Sequence, residues 1–107
     1  MQKTPDDVVC ALAVAVYGRE HQIHKAQEEL SELNRALSRD RQGEREKKHI
    51  AEEIADVRIM CRQLEIIYGI EDAVDDRIQY KLRRLMRRIE RKVRRDARRS
   101  RKGAMRR

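Results

Sequence analysis

The sequence predicts an all-α fold, a bundle of four helices. Three observations carry this. Charged residues make up 43% of the 107 residues and aromatics 3%, with no Trp or Phe, a mix that suits helices because strands favour aromatic and β-branched side chains. Four Gly and one Pro leave few positions that force a turn. Apolar residues recur at steps of three and four over long stretches, the period of a helix with one buried face.

The elements follow in order. Thr4 before Pro5 is a helix start, with Asp6 and Asp7 in the first turn. This first helix runs to about Tyr17 and stops at Gly18. A second runs from about Arg19 to Ser38, with Ile23, Ala26, Leu30, Leu33 and Leu37 on its stripe. Arg39 to Gly43 is polar and ends in Gly, which predicts a loop. A third helix runs from about Glu44 to Tyr68, with Ile50, Ile54, Val57, Cys61, Leu64 and Tyr68 in register, and Gly69 is its natural stop. A fourth starts near Glu71 or Asp72 and carries Val74, Ile78, Leu82, Leu85, Ile89 and Val93. Beyond Asp96 the apolar positions run out, so the tail is expected to fray. The domain organisation is therefore a helical domain over residues 1–93 and a basic tail over 94–107. Short links between long amphipathic helices imply antiparallel neighbours.

No apolar run approaches the roughly 20 residues that a membrane span needs, and Val8 to Val16 has acids before it where a secretory signal has bases. The expectation is a cytoplasmic protein with no membrane partner. Cys10 and Cys61 form no CxxC and read as reduced core thiols. The net charge of +8 conceals a division. Residues 83–107 hold fourteen Lys or Arg against Glu90 and Asp96, a charge of +12, which leaves −4 for the rest.

Within the acidic part, two hexads match position by position. EELSEL (Glu28 to Leu33) and EEIADV (Glu52 to Val57) each read Glu-Glu, apolar, small, acid, apolar, and start 24 residues apart on consecutive helices. At about 100° per residue, Glu29 and Glu53 fall inside the apolar arc of their own helices. Glu32 and Asp56 fall on its edge, and Glu28 and Glu52 on the far side. A carboxylate aimed at a packed face needs a basic partner, a shared proton or a metal. Glu29 with Glu32, and Glu53 with Asp56, stand at i and i+3, so four carboxylates can converge between two helices. All-oxygen ligation suits Mg²⁺ or Mn²⁺, whereas Zn²⁺ prefers N and S ligands. The plain alternative is a pair of solvated helix faces, with Lys25 and Glu29, and His49 and Glu53, as i, i+4 ion pairs.

The ordered pair EELSE and EEIAD resembles the EExxE and ExxD motifs of the MazG-like all-alpha nucleoside triphosphate pyrophosphohydrolases, over about Tyr17 to Arg88. The later IQYKLRRL (Ile78 to Leu85) is also similar to that superfamily. The resemblance implies Mg²⁺-dependent hydrolysis of an NTP or dNTP between the α and β phosphates, giving a nucleoside monophosphate and pyrophosphate. It implies metal ligation by Glu29, Glu32, Glu53 and Asp56, with Mn²⁺ as a substitute ion. Glu28 is taken as the general base because it belongs to the motif but leaves the ligand face. Lys81 and Arg84 stand where the family carries phosphate-binding bases, and Lys25, one turn before the first hexad, is another candidate. Asn34, Tyr17 and Tyr80 are the candidates for the base pocket. The resemblance also implies a homodimer or homotetramer. Ile59 and Ile66 agree with that, because they lie off the main stripe of the third helix.

The Arg-rich segment offers the rival reading, a small basic helical protein that binds nucleic acid. No aromatic interleaves its bases, and no helix-turn-helix or zinc spacing accompanies it.

Overall fold

The structure is a computed structural model, and it describes residues 4–41 and 47–106. Among these residues it is all-α, with four helices and no strand. The helices are α1 (Pro5–Tyr17), α2 (Arg19–Arg41), α3 (Lys47–Tyr68) and α4 (Glu71–Met105). None is long and apolar enough to cross a membrane.

The local signals explain the boundaries. The Thr4 hydroxyl accepts from the Asp7 amide and the Asp7 carboxylate accepts from the Thr4 amide, a reciprocal cap in front of Pro5. Gly18 and Gly69 both take positive φ, 92° and 63°. That region disfavours residues with a Cβ, and it lets the chain turn sharply after α1 and α3. Two boundaries depart from expectation. Helix α2 continues through Arg39 to Arg41, where a loop is predicted, because bases in a last turn favour the negative end of the helix dipole. The remainder of that loop, Gln42 and Gly43, and the expected start of α3 at Glu44 lie outside the described residues. Helix α4 continues past Asp96 to Met105 instead of fraying. Arg, Lys and Ala are strong helix formers, and Lys92 donates to Asp96 at 2.8 Å one turn on.

The chain forms two compact units, Met1–Glu71 and Asp72–Arg107, and α4 runs unbroken across Val93. In the first unit α1, α2 and α3 pack on one another. Gln22 meets Gln63, Glu29 meets Glu53 and Asp56, and Ala36 shares a depression with His49. Positions on α3 fall as those on α2 rise, so the two helices are antiparallel. Helix α1 is tied to α3 by the Arg62 guanidinium, which donates to Asp7 at 2.6 Å and to Glu65 at 3.0 Å. Arg62 holds the Asp7 carboxyl down at about 2. At the other end, Arg19 donates to the Ile67 carbonyl and lies 4.9 Å over the Tyr68 ring.

The centre of this unit is not the apolar stripe the sequence marks out. The buried residues of α2 are Gln22, Ala26, Glu29 and Ala36, and those of α3 are Glu53, Met60 and Gln63. Leu30, Leu37 and Ile54, the middle of the expected stripes, are 49%, 45% and 42% exposed. Of the two cysteines, Cys10 is buried as expected, and burial pushes its thiol up. Cys61 is exposed, so the expectation of two core thiols fails for it. It lies on the same half-open side of α3 as Ile54.

In the second unit α4 stands as a single helix with no buried residue. Ile78, Leu82, Leu85 and Ile89 of its stripe are each about half exposed.

Candidate metal centre

The two hexads face each other across the α2–α3 seam. Oxygen atoms of Glu29, Glu53 and Asp56 lie within 4.8 Å of one another. Opposed ligands on a Mg²⁺ ion sit about 4 Å apart, so this spacing needs only small side-chain adjustment to close on such an ion. Glu29 and Glu53 are 7% and 6% exposed, while Asp56 is exposed.

Each buried acid has one oxygen facing a basic side chain. Glu29 Oε1 takes the Lys25 ammonium at 3.0 Å, and Glu53 Oε1 takes His49 Nε2 at 3.6 Å. Their other oxygens, Oε2 in both residues, are buried and have no hydrogen-bond partner. Lys25 and Glu29 therefore pair as the plain reading expects and His49 stands beside Glu53, yet one oxygen of each carboxylate is left unserved. Buried polar atoms of a folded protein nearly all find a partner, so a ligand or water that reached these two oxygens would satisfy them. An oxygen-seeking cation fits that donor set.

The electrostatics agree. Burial raises the Glu53 carboxyl above its ordinary value of 4.5, and the negative charge of Glu32 adds to the rise. His49 works against it, and Glu29 and Asp56 raise it further. The hydrogen bond to Glu29 raises the Lys25 ammonium.

Placement differs among the residues the sequence singles out. Glu29, Glu53 and Asp56 come together. Glu32 is exposed and stands outside that trio, but it lines the same depression as Glu53. Glu28 is exposed, 3.9 Å from the Lys25 ammonium, on the rim of a depression shared with His24, Gln27, Ser31, Glu32 and Arg35. Glu52 is exposed and lines neither depression. Lys25 sits at the cluster, engaged with Glu29. Lys81 and Arg84 are exposed on α4, in the second unit. Of the base-pocket candidates, Tyr17 stacks on the His21 ring at 5.6 Å. Asn34 is exposed on α2, and its main-chain carbonyl accepts from Ser38. Tyr80 lies under the Arg77 guanidinium on α4.

Sequence reasoning missed Arg35 and Arg39. They line the depression that holds Glu32, His49 and Glu53, whose volume is about 160 Å³. The available signal was their spacing: they follow Glu28 and Glu32 by seven residues each, two turns on along one helix face. It also missed the buried amide pair in which Gln22 Nε2 donates to Gln63 Oε1 at 2.7 Å, with His21 Nδ1 2.7 Å from Gln22 Oε1. That chain of polar groups fixes the register of α2 on α3 on which the carboxylate pairing depends.

A further hollow, about 590 Å³, lies elsewhere. It is a shallow trough along α4 lined by Arg88, Arg91, Lys92, Arg94, Arg95 and Arg98. It holds only bases and offers no carboxylate or nucleophile.

No protein-family model, curated protein or solved structure matches this chain.

Proposed function

We propose that the protein is a Mg²⁺-dependent nucleoside triphosphate pyrophosphohydrolase of the MazG-like type, acting in the cytoplasm. The observation that carries this is the pair of orphaned buried oxygens, Glu29 Oε2 and Glu53 Oε2, on two matching acidic motifs with Asp56 beside them. Glu29, Glu53 and Asp56 hold the ion, and Glu32 joins them from the rim. Mn²⁺ serves in place of Mg²⁺, since both take carboxylate oxygens. When bound, the ion polarises phosphate oxygens and lowers the pKa of a water molecule.

The reaction adds water across the bond between the α and β phosphates. A phosphorus–oxygen bond forms to the water oxygen, the bridging bond breaks, and pyrophosphate leaves from a nucleoside monophosphate. Glu28 receives the proton that the water loses. It is exposed at the edge of the cluster, where a carboxylate remains free of the ion and can act as a base. Lys25 holds Glu29 in place and offsets its charge before the ion arrives.

The bundle is proposed to be finished by a second copy, as a homodimer or homotetramer. No large side chain of the described residues is fully buried, and Leu30, Leu37, Ile54 and Ile59 are 42–52% exposed on α2 and α3. A helix pair that leaves this much apolar surface in water gains by covering it.

The test is pyrophosphate release from a panel of NTPs and dNTPs with Mg²⁺ or Mn²⁺. Release that is lost on chelation and lost in Glu53→Gln supports the reading. Folded protein that releases none from any of them counts against it, and light scattering that returns only a monomer removes the oligomer.

A further inference from the structure

A substrate with a polyphosphate chain needs cations besides the metal, and the first unit contains a pair not yet accounted for. Arg35 and Arg39 stand one turn apart on α2, so they share a face. Both line the depression that reaches Glu53, together with Glu32 and His49. Neither is in an ion pair among the described residues, although two carboxylates line the same hollow. A second observation concerns Glu53, which lines the same hollow: its side chain is more than nine-tenths buried, and its Oε2 has no partner. Lys25 is engaged with Glu29 at 3.0 Å and is less free to serve a ligand.

We propose that Arg35 and Arg39 form the anion-binding half of the site and hold the terminal phosphates of the substrate, those that leave as pyrophosphate. This inference rests on the metal-site reading of Glu29, Glu53 and Asp56. A guanidinium presents paired N–H donors in a plane that matches two phosphate oxygens, and it stays charged at any working pH. Two of them beside a divalent ion balance a pyrophosphate group better than the ion alone.

The site also has a direction. The depression lined by Arg35, Arg39 and His49 meets a second, lined by His24, Gln27, Glu28 and Ser31, and the two share Glu32 and Arg35. The first holds both arginines, the second only Arg35, and the first takes the terminal phosphates. The second presents an imidazole, an amide and a hydroxyl, groups that suit a sugar and base. The scissile bond then lies near Glu32, between them and next to the metal trio.

Arg35→Gln, Arg39→Gln and the double variant test this in the full chain by calorimetry, using Mn²⁺ alone, then inorganic pyrophosphate and a nucleoside monophosphate in the presence of Mn²⁺. Mn²⁺ affinity is expected to stay at the wild-type value. Pyrophosphate affinity falls about ten-fold for each arginine removed, the loss of roughly one charged hydrogen bond. Nucleoside monophosphate affinity changes far less, and Arg39→Lys recovers part of the loss. Variants that bind Mn²⁺ and pyrophosphate like the wild type overturn the proposal and leave the metal site standing. An equal fall in pyrophosphate and monophosphate binding overturns the assignment of the arginines to the leaving group. Wild-type protein that binds no Mn²⁺ removes the metal-site reading itself, and this inference with it.

Discussion

The α2–α3 pair and α4 are both long, highly charged and amphipathic, yet they treat charge in opposite ways. In α2 and α3 the seam buries two glutamates and two glutamines while Leu30, Leu37 and Ile54 stay half exposed. In α4 every residue keeps solvent contact, and its bases surround a stripe that nothing in its own unit covers. The bases of α4 dominate the net charge, but each is solvated and free to be screened. The acids of the seam are few, and two of their oxygens are unpaired and out of water. The difference teaches that chemistry is to be sought where charge is buried at a cost, not where it is most abundant.

That contrast can be broken most sharply at Glu53. If the proposed metal site holds, Glu53→Gln lowers Mn²⁺ affinity and Mg²⁺-dependent pyrophosphate release by more than about 100-fold, because it removes a charged ligand. Calorimetry and a pyrophosphate assay check it. Wild-type activity in this variant would move the chemistry out of the seam.

The same substitution has an opposite effect on the empty fold. The Glu53 carboxyl is raised in the folded chain, so folding opposes its charge, and that cost is full above the raised value and fades as pH falls through it. Metal-free Glu53→Gln is therefore expected to melt higher than the wild type at neutral pH, and the gap closes under acid. Added Mg²⁺ raises the wild-type melting temperature and leaves the variant's unchanged. Melting curves with and without chelator decide this.

A smaller effect is expected at the tie between α1 and α3. Asp7 is depressed from 3.8 to about 2 by its bond from Arg62. A depressed carboxyl stabilises the fold above its unfolded value, and that contribution is lost as pH drops from about 4 towards 2. Asp7→Asn should lower the melting temperature modestly at pH 7 and flatten the acid limb of the stability profile. An unchanged acid limb would mean that the ion pair contributes nothing.

The least effect is expected from the basic end of α4. Removing residues 94–107 should leave Mn²⁺ affinity within about a factor of two, since solvent and salt screen the field of exposed charges. A large loss would bring α4 into the site, and with it the Lys81 and Arg84 that the family resemblance suggests.

Much of the fold is legible along the chain because its signals are local. The Thr4–Pro5–Asp7 cap, Gly18 and Gly69 set helix ends through bonds within a few residues, and the structure places them there. Signals that depend on an absence are weaker: a polar stretch without apolar residues reads as loop or frayed tail at Arg39 to Arg41 and beyond Asp96, where helix propensity and the dipole keep it helical. In the candidate site, the repeated hexads and a count of 100° per residue pick out Glu29 and Glu53 as the inward acids, because helical phase follows from sequence alone.

What sequence by itself determines about this protein is the helix content, the ends of α1 and α3, and the phase of each acid on its own helix. The tertiary structure decided the rest. Rotation of α2 against α3 puts the carboxylates and glutamines in the seam and turns Leu30 and Ile54 outward. It leaves Glu29 Oε2 and Glu53 Oε2 without partners, and it brings Arg35 and Arg39 to the hollow beside Glu53. The physical reason is that phase is a property of one helix, whereas which two faces meet, and which polar atoms are stranded there, is a property of the pair.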